Sequence, residues 1–320
     1  MPTRRSLLAA PALLLGADAA AQDHPSRPVR LVVPFPPGGG TDNLGRMVAR
    51  ALADRLGATV VVENRGGAGG NIGAATVATA PPDGYTLLFH GNGMAISDVL
   101  FRNPGFDWRR DFLHLARIAS TPMLLVVRPS VPARTLAELL AHVRANPGRL
   151  NHGTPGAATA QHLAAALFDG MAGTRIVHVP YRGTGPSVAG LLGGEVEVMF
   201  ASVSAVEGLV REGQVRALAN TAGRRARAWP DLPAIAEAVP GYAAELWYTL
   251  AVPARTPPAA AAAAVERAAR EALDDPTFTA ALMARGFDPE FLSSAELGPA
   301  MEEEGRRWVP VLRRAGIVAE

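Results

Sequence analysis

The chain of 320 residues has no cysteine and no lysine, so all 31 of its cationic side chains are arginines. Without cysteine there can be no disulfide staple, no thiolate metal site and no thiol nucleophile. Charge of one sign is lacking too. Thirty-one basic residues stand against 29 acidic ones, for a net +2, and no run of five or six like charges occurs. No nucleic-acid footprint is indicated. Long apolar runs are also missing, and nothing reaches the roughly 20 residues that a membrane span needs. Hydrophobic residues still make up 48% of the chain, enough for a folded protein, and its length suits two domains.

The N-terminus has the three parts of a secretory leader: Arg4 and Arg5, an apolar run from Leu7 to Leu15, and small residues ending at Ala21. It predicts a signal peptide over 1–21, a twin-arginine route being open, and a mature protein in the periplasm.

Strand-like and helix-like segments alternate along the rest. VRLVVPF (29–35), TVVVENR (59–65) and YTLLF (85–89) read as strands, with helical patterns at 44–56 and about 71–80. The rhythm returns from 149, with strands at 149–156, 176–183, 196–202 and 215–222 and helices at 157–171 and 204–212. It closes on helices over 257–273, 276–285 and 295–314. Thr135 with Glu138 forms a capping box. This βαβ order predicts an α/β fold with a mainly parallel sheet covered on both faces. Two long apolar strands, near 122–130 and 244–254, read as crossings between two halves. The expected domains are 27–126 with 250–320, and an inserted 127–249, with a hinge and a cleft between them.

Two stretches carry the chemistry. In VPFPPGGGTD (33–42) a strand runs through prolines and three glycines into a helix. The first-turn N–H groups and the helix dipole make such a turn an anion site. HGTPGAATAQHL (152–163) repeats the design, and the two turns would hold a small anion between them. No Lys-Ser/Thr follows the three glycines, so the first turn is not a phosphate loop. GGAGGNIG (66–73) has no dinucleotide register and no acidic partner about 20 residues on. A nucleophile elbow and HExxH are missing as well. His90 and His152 end strands aimed at the expected cleft, as does the turn around Asn92. Asp42 is awkward there: it either caps the helix or accepts an amino group of the ligand.

VRLVVPFPPGGGTDNLGRMVA, VVVENRGGAGGNIG, APPDGYTLL, HVPYRGTGPSVAGLLGGEVEVMF and WYTLAVPARTP, in this order, resemble the extracytoplasmic solute-binding receptors of tripartite tricarboxylate transporters, the Bug receptors. The resemblance implies a type II periplasmic-binding-protein fold and no enzymatic activity, cofactor or metal. It implies capture of a di- or tricarboxylate, acidic amino acid or aromatic acid by a monomer that passes it to membrane permease subunits. The implied site is Phe35, Gly38, Gly39, Gly40, Thr41 and Asp42 in the first loop, and Thr154, Gly156 and Thr159 in the second. Tyr181, Gly183, Ala201 and Ser202 would form the remaining walls. A receptor for a signalling partner and an exported hydrolase using His90 or His152 are the alternatives.

Overall fold

The structure, a computed structural model, describes residues 25–156, 159–227, 229–256, 261–314 and 316–317. The expected leader over 1–21 and the start of the expected 257–273 helix lie outside the described residues. No described helix is long and apolar enough to cross a membrane.

The first half opens with β1 (Val29–Val33), α1 (Gly40–Leu56), β2 (Val60–Asn64), α2 (Asn71–Ala78), β3 (Thr86–Gly91), α3 (Ser97–Leu100) and the 16-residue β4 (Phe112–Val127). The second half holds α4 (Leu136–Ala145), β5 (Asn151–Thr154), α5 (Ala160–Ala172), β6 (Val177–Pro180), α6 (Thr184–Gly193), β7 (Val198–Ser202), α7 (Val203–Arg211) and β8 (Arg216–Asn220). The chain then returns through β9 (Glu245–Pro253), α8 (Ala263–Asp274), α9 (Pro276–Met283), β10 (Asp288–Ser293) and α10 (Ser294–Arg314).

The strand order is β2-β1-β3-β9-β4-β7-β5-β6, with β10 and β8 also paired to β4. β1 pairs in parallel with β2 and β3, and β5 pairs in parallel with β6 and β7. β4 belongs to both halves. Its residues up to Pro122 pair with β9 and β10, and from Met123 onward they pair with β7 and β8. The second crossing lies along the same line: Asn220, at the end of β8, pairs with Leu124, and Glu245, at the start of β9, pairs with Pro122. Thr221 closes that junction. Its N–H donates to Met123 O (2.9 Å), and its hydroxyl accepts from Met123 N and donates to Ala244 O. The pairing thus changes hands at Pro122/Met123 and between Thr221 and Ala244.

Burial explains why β1 is apolar throughout rather than alternating. Val29, Leu31 and Val33 pack under α1 and α8, whereas Val32 packs on the other face with Ala74 and Val77 of α2 and Leu297 and Met301 of α10. In the second half, Leu125 and Phe200 face Leu139 of α4 and Phe168 of α5, while Leu124 and Met199 face α6 and α7. α10 serves both halves, because Trp308, Val311 and Leu312 near its end join the second core.

This topology positions the site. β3 runs toward the crossing, since Gly91 lies opposite Tyr248, which pairs with Ala119. β7 runs toward it from the other side, ending with Ser202 opposite Met123. The carboxyl ends of both parallel sets therefore meet at the crossing, where open α/β sheets bind their ligands.

Candidate functional site

The first jaw is the turn from β1 into α1. Gly38 has φ +86°, a left-handed value that glycine adopts without strain. α1 then starts at Gly40 after Gly39, and no side chain caps it. Its first-turn N–H groups are left for an outside acceptor.

Asp42 is spoken for by the protein. It is 2% exposed. One carboxylate oxygen accepts from Gly38 N (2.9 Å) and Arg46 Nε (3.0 Å), and the other accepts from Asn64 Nδ2 (2.8 Å). The same Asn64 amide donates to Phe35 O (3.0 Å). Burial pushes the Asp42 carboxyl up, but the bonds from Gly38, Arg46 and Asn64 outweigh it and hold it below the ordinary value. Asp42 is thus the brace of the glycine loop rather than a group aimed at a ligand.

The glycine-rich stretch 66–73 seats this jaw from behind. A Cβ on Gly66 would lie 3.1 Å from Pro36 Cδ, and one on Gly73 would lie 2.8 Å from Pro34 Cβ and 2.7 Å from Arg65 O. Its glycines let the proline loop approach the backbone. That accounts for a motif which lacks a nucleotide register.

The second half contributes two more uncapped helix starts. α6 follows Gly183 and α7 follows Ser202, neither with a side-chain cap. Gly183 N donates to Pro155 O (2.9 Å), tying the β6–α6 turn to the β5–α5 turn, the second jaw. The halves meet here: a Cβ on Gly40 would lie 3.7 Å from Ser204 Oγ, at the start of α7. The floor is Tyr248 of β9, 5% exposed, stacked on Phe89 and edge-on to Phe287. Burial pushes its phenol up to about 12 despite a hydrogen bond from Thr41 in the first turn of α1.

Not every expected residue faces this space. Thr154 is fully buried. Its hydroxyl donates to Gly156 O (3.0 Å) and lies 2.7 Å from His178 Nε2. Thr159 caps α5, accepting from His162 N and donating to Gly156 O. Together they shape the loop around Gly156. The Tyr181 ring is turned away, its hydroxyl donating to Glu195 (2.9 Å). Ala201 is buried, and Ser202 is half-buried at the end of β7.

Three expectations need correction. His90 is 3% exposed, with Nδ1 at Gly91 O and Nε2 2.8 Å from Thr249 Oγ1, and it packs edge-on against His114. Burial, then the neighbouring His114, lowers its pKa to about 3. Asn92 donates to Glu245 O (3.0 Å) and Glu304 (2.5 Å), bracing β9 and α10. His152 lies inside the second half beside His162 and His178. His90 and His152 are turned into the protein because strand alternation sends these side chains to covered faces, whereas Asn92 opens the helical turn after β3 and reaches inward to β9 and α10. Tyr248, Asn64 and Ser204 were not foreseen. Tyr248 lies in an apolar strand, and only its polar handle inside WYTLAVP hints at a partner. Among the described residues, no group of three or more His, Asp or Glu could hold a metal ion.

Two α/β halves, crossed by β4 and the β8–β9 line, with helix starts from each half meeting at the crossing, define a solute-binding receptor of the type II periplasmic-binding-protein fold. The chain belongs to the TctC family, the tripartite tricarboxylate transporter family receptors, whose family model matches residues 44–317. BugT of Bordetella pertussis is 33% identical over 305 residues, 94% of this chain and 93% of that protein. An R. palustris protein solved with adipate superposes with a TM-score of 0.85 at 35% identity, over 93% of this chain and all of that one. MatC of Rhodopseudomonas palustris, solved with malate, gives 0.78 at 31% identity, over 90% and 99%. The family and these structures are of binding receptors, so the chain is a receptor and not an enzyme.

Proposed function

We propose that the protein captures a small carboxylate between the starts of α1 and α7 in the periplasm, after export by its leader, and delivers it to the membrane permease of a tripartite transporter. The observation that carries this reading is the pair of uncapped helix starts, one from each half, brought together at Gly40 and Ser204. The loop N–H groups from Gly39 to Thr41, the Gly156 turn, Gly183 and Ser202 supply the polar contacts, and Phe35 and Tyr248 supply the apolar ones. Four charge-assisted bonds at about 1.5–3 kcal/mol each give roughly 6–12 kcal/mol gross. Lost ligand freedom and closure oppose this, leaving a net near −8 kcal/mol, about micromolar. Adipate and malate in the solved relatives support the carboxylate class.

Closure would move 27–126 with 250–320 against 127–249, about a hinge at the two crossings, in a monomer. A thermal-shift screen of mono-, di- and tricarboxylates tests the capture. A ligand at 100 times its Kd stabilises by about 2.7 kcal/mol, so at least one carboxylate should raise the melting temperature by several degrees. A flat response across all three classes refutes it. Uptake of the captured carboxylate into vesicles carrying the permease subunits should require this chain; uptake at the same rate without it refutes delivery and points to a signalling partner.

A further inference from the structure

A second cavity, of about 500 Å³, lies in the second half between α5, the approach to β6, and the end of α10. Its outer wall lies away from the cleft: Asp169 and Met171, which line it, are ten or more residues along α5 from the Thr159 cap, roughly 15 Å at 1.5 Å per residue, while His162 on its inner wall is one turn from that cap.

Three imidazoles form its inner wall. His162 and His178 stack face to face with ring centres 3.7 Å apart, and His152 stacks on His178 at 5.0 Å. His152 is 3% exposed, and its Nδ1 is buried with no hydrogen-bond partner. A buried polar atom left unpaired is costly, so this wall is poorly satisfied by the protein alone. Leu167, Ile176 and Val311 add an apolar floor. Asp169 also lines the space, but its oxygens already accept from Thr174 Oγ1 (2.6 Å) and Ile176 N (2.9 Å). Arg175 and Arg314 stand exposed at the rim, and neither has an ion pair among the described residues.

We propose that this cavity is a second ligand site, for a small aromatic carboxylate. The ring would extend the imidazole stack over the apolar floor, and the two guanidiniums would take the carboxylate. The cavity shares a side chain with the second jaw, because His178 also holds Thr154.

Benzoate is the probe, titrated at pH 7 into the full chain while the histidine ring signals are followed by two-dimensional NMR. The signals of His152, His162 and His178 should move saturably while those of His90 and His114 stay. Arg175→Gln with Arg314→Gln should weaken this binding about tenfold or more, since two charge-assisted bonds are lost. Cluster signals unmoved through the millimolar range overturn the proposal. So does a double variant that binds benzoate as the wild type does.

Discussion

Replacing Asp42 tests whether the first jaw is held in shape by its own buried carboxylate. In Asp42→Ala, Gly38 N and Asn64 Nδ2 each lose a charged acceptor at 2.9 and 2.8 Å in a side chain only 2% exposed. Hydrogen bonds to charged groups contribute about 1.5–3 kcal/mol each, which gives about 3 kcal/mol at the low end. Arg46 adds little, because its side chain is 53% exposed and such pairs contribute under about 1 kcal/mol. The expected loss of about 3 kcal/mol lowers the melting temperature by roughly 5 °C in a chain of this size. Affinity for the captured carboxylate should fall with it, since the loop N–H groups are no longer held in place. Asp42→Asn keeps one acceptor but must turn its NH2 toward either Gly38 N or Asn64 Nδ2, so about half the loss is expected. The sign with pH follows from the lowered pKa: the contribution is complete above the unfolded value of 3.8 and disappears as pH falls through the lower folded value. Urea unfolding with calorimetric titration measures both effects. A stability change under about 0.5 kcal/mol in Asp42→Ala would refute the brace.

Burial of the histidines adds a second loss of stability on the acid side, at higher pH than that of Asp42. The pKa values of His90 and His152 are lowered to about 3, and those of His114 and His162 to about 4, against 6.5 unfolded. Their stabilisation is complete above pH 6.5 and is lost as the unfolded chain takes up protons below it, by up to about 1.4 kcal/mol per pH unit for each histidine. Urea midpoints between pH 7 and 4.5 (roughly the span between the two sets of pKa values) should drop steeply, and His162→Gln should flatten the slope by about one proton; an unchanged slope counts against this. Tyr248→Phe removes the bond with Thr41 and should cost about 1 kcal/mol and a few-fold in carboxylate affinity by calorimetry; wild-type affinity would remove Tyr248 from the site. Gly45→Ala would place a Cβ 2.8 Å from Val33 Cγ2 and 3.2 Å from Phe89 Cδ1, so α1 must lift off the sheet, at about 1–3 kcal/mol by thermal melting.

The fold was legible because its signals are periodic and local. Apolar runs such as VRLVV fit strands buried on both faces, and the strand–turn–helix alternation leaves few ways to connect them. The crossings were harder to place to the residue. β4 is one unbroken strand of 16 residues whose partners change midway, and no composition change marks Pro122/Met123. α10 likewise reads as one amphipathic helix, although Met301 and Trp308 serve different cores. Which core a helical turn meets depends on how the halves lie, and that is tertiary information.

At the site, what the backbone does was readable and what the side chains do was less so. Glycines after a strand and before a helix signal an exposed first turn regardless of neighbours, and α1 begins where that signal sits. The histidines had no such local rule. His152 faces inward because β5 pairs it with His178 and α5 covers both, an arrangement assembled from residues 10 and 26 positions apart. Asp42 shows the same limit from the other direction. Its position in the first turn of α1 suggested a conflict with an anionic ligand, and the conflict vanishes because Asn64, 22 residues on at the end of β2, lies beside Val33 in the parallel pair. A carboxylate whose oxygens are already taken by Gly38, Arg46 and Asn64 presents little free charge to the cleft. The loop can therefore keep both a buried acid for rigidity and bare N–H groups for an anion.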